Sequence, residues 1–161
     1  MAKRGGHTGA PAARALVVAL GLVGMIPAGC GSSPPAPTAD QVVSQLATKV
    51  PNAKPGPVVT AANDSNRLLG RPGQYTSAAA FSDDRVPVDQ RKPDPTSLDN
   101  GGKVEAFATA DDAQRRAGYI EQLAKATPVA VEYDYVAGTT LVRVSKALTP
   151  DEAAQYQAAL G

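Results

Sequence analysis

The chain offers few side chains for nucleophilic or metal chemistry, because its 161 residues include one cysteine, Cys30, and one histidine, His7. A single cysteine cannot form an internal disulfide or a cysteine-based zinc cluster. In an exported protein, an unpaired cysteine is usually modified, bonded to another chain or reactive. The sequence around Cys30 must therefore decide which of these uses applies.

Carboxylates are the next candidates for chemistry, and none forms a recognisable metal or catalytic motif. The segment Asp64-Ser65-Asn66 begins like a calcium-binding loop, but Leu68 and Leu69 occupy positions that such a loop reserves for a ligand and a glycine. Residues 82–102 contain several aspartates interleaved with arginine and lysine, which is typical of a solvated loop. The sequence therefore predicts no metal, no cofactor and no catalytic residue.

The aromatic residues are few, and four of them could share a surface. Tyr133 and Tyr135 alternate with acidic residues along a predicted strand, so that both point to the same face. Together with Tyr75 and Phe107 they could line a groove for a ligand such as a glycan or lipid. The alternative, which the composition favours, is that they form the edge of a small core otherwise built from valine and alanine.

The N-terminal segment has the pattern of an export signal. Lys3, Arg4 and Arg14 give residues 1–14 a positive charge with no acid, and residues 15–26 are uncharged and apolar. This apolar run is shorter than the ~18 residues expected of a membrane span. A basic start, a short apolar segment and small residues, in this order, are typical of a secretory signal.

The end of this signal, the sequence "IPAGC" at residues 26–30, resembles the lipobox of bacterial lipoproteins. In that family an aliphatic residue and two small residues precede the modified cysteine. Ala28, Gly29 and Cys30 match the pattern, whereas Pro27 stands where the family prefers an aliphatic residue. The resemblance implies that Cys30 carries a diacylglyceryl group and, after cleavage before it, an N-acyl group.

These acyl chains would anchor the protein to the extracytoplasmic face of a cell membrane, since two or three chains hold a protein stably where one does not. The Ser/Pro-rich residues 31–38 would form a flexible tether. A composition rich in alanine, glycine, proline and valine resembles that of secreted actinobacterial lipoproteins. The alternatives are an ordinary cleaved signal and an uncleaved signal anchor.

Cleavage before Cys30 would remove His7 and leave no free thiol. The mature chain would then lack Ser-His-Asp and Cys-His nucleophilic machinery and the usual zinc ligands. The whole chain has 16 basic and 15 acidic residues, so it also lacks the basic excess of a nucleic-acid-binding protein.

The mature chain has the pattern of an α+β protein. The sequence predicts a signal peptide (1–29), a lipidated tether with an accessory helix (30–60) and one domain (61–161), with residues 51–57 breaking the chain and 82–102 forming an exposed loop. We expect a mainly antiparallel sheet of about four strands with helices on one face. Residues 74–126 and 129–160 both suggest a ββα unit, and hence a duplication. Helices are predicted at 38–50, 109–126 and 149–160, and strands at 74–81, 103–107, 129–136 and 139–145.

For function, the sequence favours a non-catalytic binding or protein-interaction module with an unknown envelope partner. The second hypothesis is a small-molecule or lipid-binding carrier that uses the tyrosine-bearing sheet face. An apolar cavity between sheet and helices would favour the carrier. An enzyme ranks third, and a cleft holding two acids, one with a strongly raised pKa, would favour it.

Overall fold

The structure of the protein, a computed structural model, describes residues 36–127 and 131–161. The signal segment, Cys30 and the first residues of the predicted strand 129–136 lie outside these ranges. No helix within them combines the length and apolar character needed to cross a membrane. The elements are α1 (Ala39–Lys49), β1 (Ala53–Val58), β2 (Ser77–Asp83), β3 (Gly101–Ala106), α2 (Ala110–Ala126), β4 (Glu132–Ala137), β5 (Thr140–Ser145) and α3 (Pro150–Ala159).

The strands form one antiparallel sheet in the order β1-β2-β3-β5-β4. This confirms the predicted α+β class, with one strand more than expected. All three predicted helices are present, and each begins at a threonine N-cap, which the sequence indicated. The fifth strand is β1, in the segment that was predicted to break the chain.

Strand β1 lies at the edge of the sheet and tolerates two prolines there. Proline cannot donate a hydrogen bond to a strand ladder, so it is confined to edges and bulges, and the register of β1 on β2 shifts between Pro55 and Val58. Between the prolines, a Cβ on Gly56 would stand 2.8 Å from the carbonyl oxygen of Ala80. The Pro-Gly-Pro sequence therefore fits this edge, although it indicates a break when read alone.

The helices cover both faces of the sheet, which corrects the expectation that they share one face. Helices α1 and α3 pack on the face that presents Phe81, Val104 and Val142. Helix α2 packs on the opposite face through Ala113 and Ile120, against Leu141 of β5 and its neighbours. Alternate residues of each strand point to opposite faces, so one sheet supports two separate cores.

The two predicted ββα units share the order of their elements but not their three-dimensional arrangement, so the sheet is not built from two symmetric copies of one unit. A twofold axis that exchanges neighbouring antiparallel strands such as β3 and β5 is perpendicular to the sheet. It would keep both helices on one face, whereas α2 and α3 lie on opposite faces.

Helix α1 is part of the domain and not of the tether. Ala39, Val43 and Leu46 are buried among the residues of the first core, and β1 belongs to the sheet. The predicted boundary at residue 60 is therefore wrong, because the apolar face of α1 completes the core and does not stand apart from it.

The long segment between β2 and β3 is held by side-chain hydrogen bonds to its own backbone. The amide oxygen of Asn100 accepts from the backbone N–H of Lys92 at 2.7 Å, and its nitrogen donates to the carbonyls of Lys92 and Asp94 at 3.1 and 2.8 Å. These bonds fold the loop against the α2 face, where Leu98 and Asp99 reach the site described below.

Candidate functional site

The four aromatic residues proposed as a ligand face do not come together. Tyr75 and Phe107 are buried in the core beneath α2, with ring centroids 6.2 Å apart in an edge-to-face contact. Tyr133 and Tyr135 are half-buried against the core on the opposite face of the sheet. The structure thus supports the core interpretation of these residues. Cys30, the predicted lipidation site, lies outside the described residues.

A concavity lies on the other face, between α2, the segment after β1 and the loop before β3. It has a volume of about 670 Å³, and we call it the α2 groove. Apolar side chains from three elements form much of its wall, and Leu123 at its mouth is 40 % exposed. Its apolar residues include Leu68, Leu98, Ile120 and Leu123, and its cationic residues are Arg115, Arg116, Arg143 and Lys146.

A buried ion-pair network connects α2 to the floor of the groove. Glu105, whose exposure is 0 %, accepts from Nε of Arg116 at 3.1 Å and from Nη1 of Arg143 at 2.8 Å. Arg143 also donates from Nε and Nη2 to both carboxylate oxygens of Glu132, at 2.8 and 2.9 Å. The planar guanidinium suits this two-pronged contact, which fixes the orientation of Arg143.

Asp134 lies beside this network on β4, opposite Arg143 in the strand register. Its Oδ1 atom is buried and has no hydrogen-bond partner among the described residues. Burial, followed by the nearby carboxylate of Glu132, raises the pKa of Asp134 to about 7. Asp134 and Glu132 line a second cavity of about 380 Å³ between α2 and β4.

A third cavity, of about 340 Å³, opens between β3 and the loop that Asn100 organises. We call it the Lys103 cavity. Lys103 is 5 % exposed, and burial, followed by the positive charge of Arg143, lowers its pKa. The cavity is lined by Lys103, Arg143, Ser65, Asn66, Leu98 and residues 92–97 except Pro95.

None of these polar residues was singled out by the sequence as part of a site. The available signal was alternation: Lys103 and Glu105 flank Val104, and Glu132 and Asp134 alternate with tyrosines. Charged residues in such a pattern usually face solvent, and α2 was expected on the other side. Their burial follows from the placement of α2, which the strand pattern does not indicate.

Comparison with known proteins finds no matching family model, no similar curated protein and no similar solved structure. Within residues 36–127 and 131–161, no group of three or more histidine, cysteine, aspartate or glutamate side chains is arranged to hold a metal ion. The fold and the site therefore define a structural class: an α+β domain with a partly apolar groove beside a buried charge network.

Proposed function

We propose that this protein is a non-catalytic binding module, anchored to the outer side of a bacterial membrane by lipid on Cys30, which takes a small amphipathic molecule into the α2 groove. The groove itself is the observation that supports a binding function. Its volume of about 670 Å³ lies in the ~300–1,000 Å³ range of small-ligand sites. The proposal keeps the carrier hypothesis but moves it from the tyrosine-bearing face to the α2 face.

The character of the wall favours an amphipathic ligand. Leu98, Ile120 and Leu123 offer apolar contact, and Arg115 and Arg116 supply polar groups along the same groove. Sites for organic ligands commonly combine a mainly apolar wall with a few polar groups that set orientation. Tyr119 and Leu123 are 53 % and 40 % exposed near the mouth, so a protein partner that covers this mouth is the second candidate.

The acids of the neighbouring cavity do not support catalysis by a carboxylate pair. Hydrolysis by a carboxylate pair requires two acids that flank the bond to be cleaved. Glu132 and Asp134 instead lie side by side, two residues apart on one face of β4. Both oxygens of Glu132 are also held by Arg143. The raised pKa of Asp134 follows from burial next to another acid and supplies only half of the required arrangement.

Binding in the groove is testable because the chain has no tryptophan. We expect Leu123→Trp to place a single indole at the mouth of the groove. Its emission should change and saturate when monomeric decanol, decyl phosphate or decyltrimethylammonium is added. Val88→Trp serves as the matched control, since Val88 is 81 % exposed on the loop between β2 and β3 and does not line the groove. Equal, non-saturating responses in both variants would contradict a small-ligand site and favour the protein partner.

The anchor is tested by mass spectrometry of protein extracted from its own membrane. We expect the wild-type chain to begin at Cys30 and to carry the mass of a diacylglyceryl group and an N-acyl group. The Cys30→Ser variant should lack both and leave the membrane fraction. A free thiol on Cys30, or a retained signal segment, would show that the protein is not a lipoprotein.

A further inference from the structure

Lys103 is a buried cation without a bonded partner. It is 5 % exposed, and within the described residues its ammonium makes no hydrogen bond and no ion pair, only longer-range electrostatic contacts. Its Nζ atom is not among the fully enclosed polar atoms without a partner, so it keeps some contact with water, but most of the side chain is removed from water at a cost that no hydrogen bond repays. Lysine is rarely fully buried unless it is paired, so this position requires an explanation.

The carboxylates that act electrostatically on Lys103 already form hydrogen bonds or ion pairs with other groups. Asp64 accepts the hydroxyl of Tyr75 at 2.6 Å as well as backbone amides. Asp94 accepts the backbone and side chain of a loop threonine, both at 2.8 Å. Glu105 is held between two arginines. These carboxylates therefore attract Lys103 without satisfying its donors.

The space beside Lys103 has room for the missing partner. The Lys103 cavity has a volume of about 340 Å³ and is also lined by Arg143 and by the buried Thr96. It shares Asn66, Leu98 and Arg143 with the α2 groove. A molecule could therefore place a polar end beside Lys103 and an apolar body against Leu98 and the wall of the groove.

We propose that the Lys103 cavity binds the anionic head, a phosphate or carboxylate, of the amphipathic ligand whose apolar body lies in the α2 groove. This inference rests on the proposed function. Lys103 supplies the charge-assisted hydrogen bonds, which are stronger than neutral ones. Arg143, whose charge is compensated by Glu105 and Glu132, lines both cavities at their junction beside Lys103.

The test compares ligands of different head charge on matched variants. Binding of decyl phosphate, decanol and decyltrimethylammonium is followed in Leu123→Trp protein that carries either Lys103→Met or Lys54→Met. Methionine keeps most of the length of the unbranched side chain and removes its charge. Lys54 lies on β1 with its side chain 54 % exposed and lines neither cavity, so Lys54→Met makes the same charge change at a distance.

We expect Lys103→Met to weaken decyl phosphate binding by about thirtyfold or more and to leave decanol binding unchanged, which also shows that the groove is intact. Lys54→Met should change neither. Competition by inorganic phosphate would show that the free anion suffices, whereas a requirement for the decyl chain would indicate a lipid-like ligand. Unchanged decyl phosphate affinity in Lys103→Met, or equal wild-type affinity for all three heads, would overturn the head site and leave the groove proposal standing. If none of the three binds, the proposed function itself fails.

Discussion

Replacing Glu105 by glutamine is expected to lower the free energy of unfolding by about 3–5 kcal/mol, because removal of one partner leaves buried charge uncompensated. Arg116 and Arg143 have side chains only 9 % and 13 % exposed, and both donate to this carboxylate. Glutamine has nearly the same shape, so the change tests the charge and not the packing. A loss of this size is a large part of the about 5–15 kcal/mol that stabilises a typical domain.

The measurement is urea unfolding followed by circular dichroism, with Glu121→Gln as the control. Glu121 forms an ion pair with Lys125 on the exposed face of α2, where both side chains are mostly exposed. Exposed pairs contribute about 0–1 kcal/mol, so this control should unfold almost as the wild type does. Equal effects of the two substitutions would mean that the network around Glu105 does not hold α2 to the sheet.

Replacing Lys103 by methionine is expected to act in the opposite direction and to stabilise the ligand-free protein by about 1–4 kcal/mol, because taking one ion out of water costs several kcal/mol and the carboxylates around Lys103 recover only part of that cost. Lys103 has no bonded partner among the described residues and is 5 % exposed. Its burial therefore costs desolvation energy that the more distant carboxylates of Glu105, Asp64 and Asp94 offset only in part. Thermal unfolding without ligand should show a higher Tm for Lys103→Met than for the wild type.

The pH dependence of this difference follows from the lowered pKa of Lys103. Between its folded pKa and the unfolded value near 10.4, the unfolded chain binds more protons than the folded chain. Wild-type stability attributable to this group therefore rises with pH across that window. The advantage of Lys103→Met should be greatest below the folded pKa and shrink as pH approaches about 10. An advantage that is constant with pH, or a destabilising effect at neutral pH, would contradict an unpaired buried ammonium.

The helices were predictable because their signals are local. Thr149 and Glu152 form a capping box and Pro150 follows the cap as the first helical residue, and neither signal needs tertiary context. The threonine caps of α1 and α2 are equally plain. Strands β2, β3 and β5 followed from short apolar runs. Strand β1 did not, because its prolines are acceptable only at an edge, and edge position is a property of the whole sheet.

The site was harder to predict because it depends on which face α2 covers. The same alternation that placed Val104 in one core leaves Lys103 and Glu105 on the other face, and nothing local says whether that face meets water or a helix. The aromatic residues were misleading for a related reason. Tyr75 and Tyr133 each fit an apolar face, but they lie on opposite sides of the sheet.

The proline-bearing edge strand has a consequence for proteins crowded on a surface. Lipid anchoring, as proposed, would confine many copies to two dimensions and raise their effective concentration, which favours even weak contacts between them. An open sheet edge is a template for strand addition by a neighbour. Pro55 and Pro57 remove two backbone donors from β1, and its register is interrupted beside them. Neighbouring copies would therefore find no regular ladder to extend at this edge, so the anchored protein can be dense on the membrane without polymerising through β1.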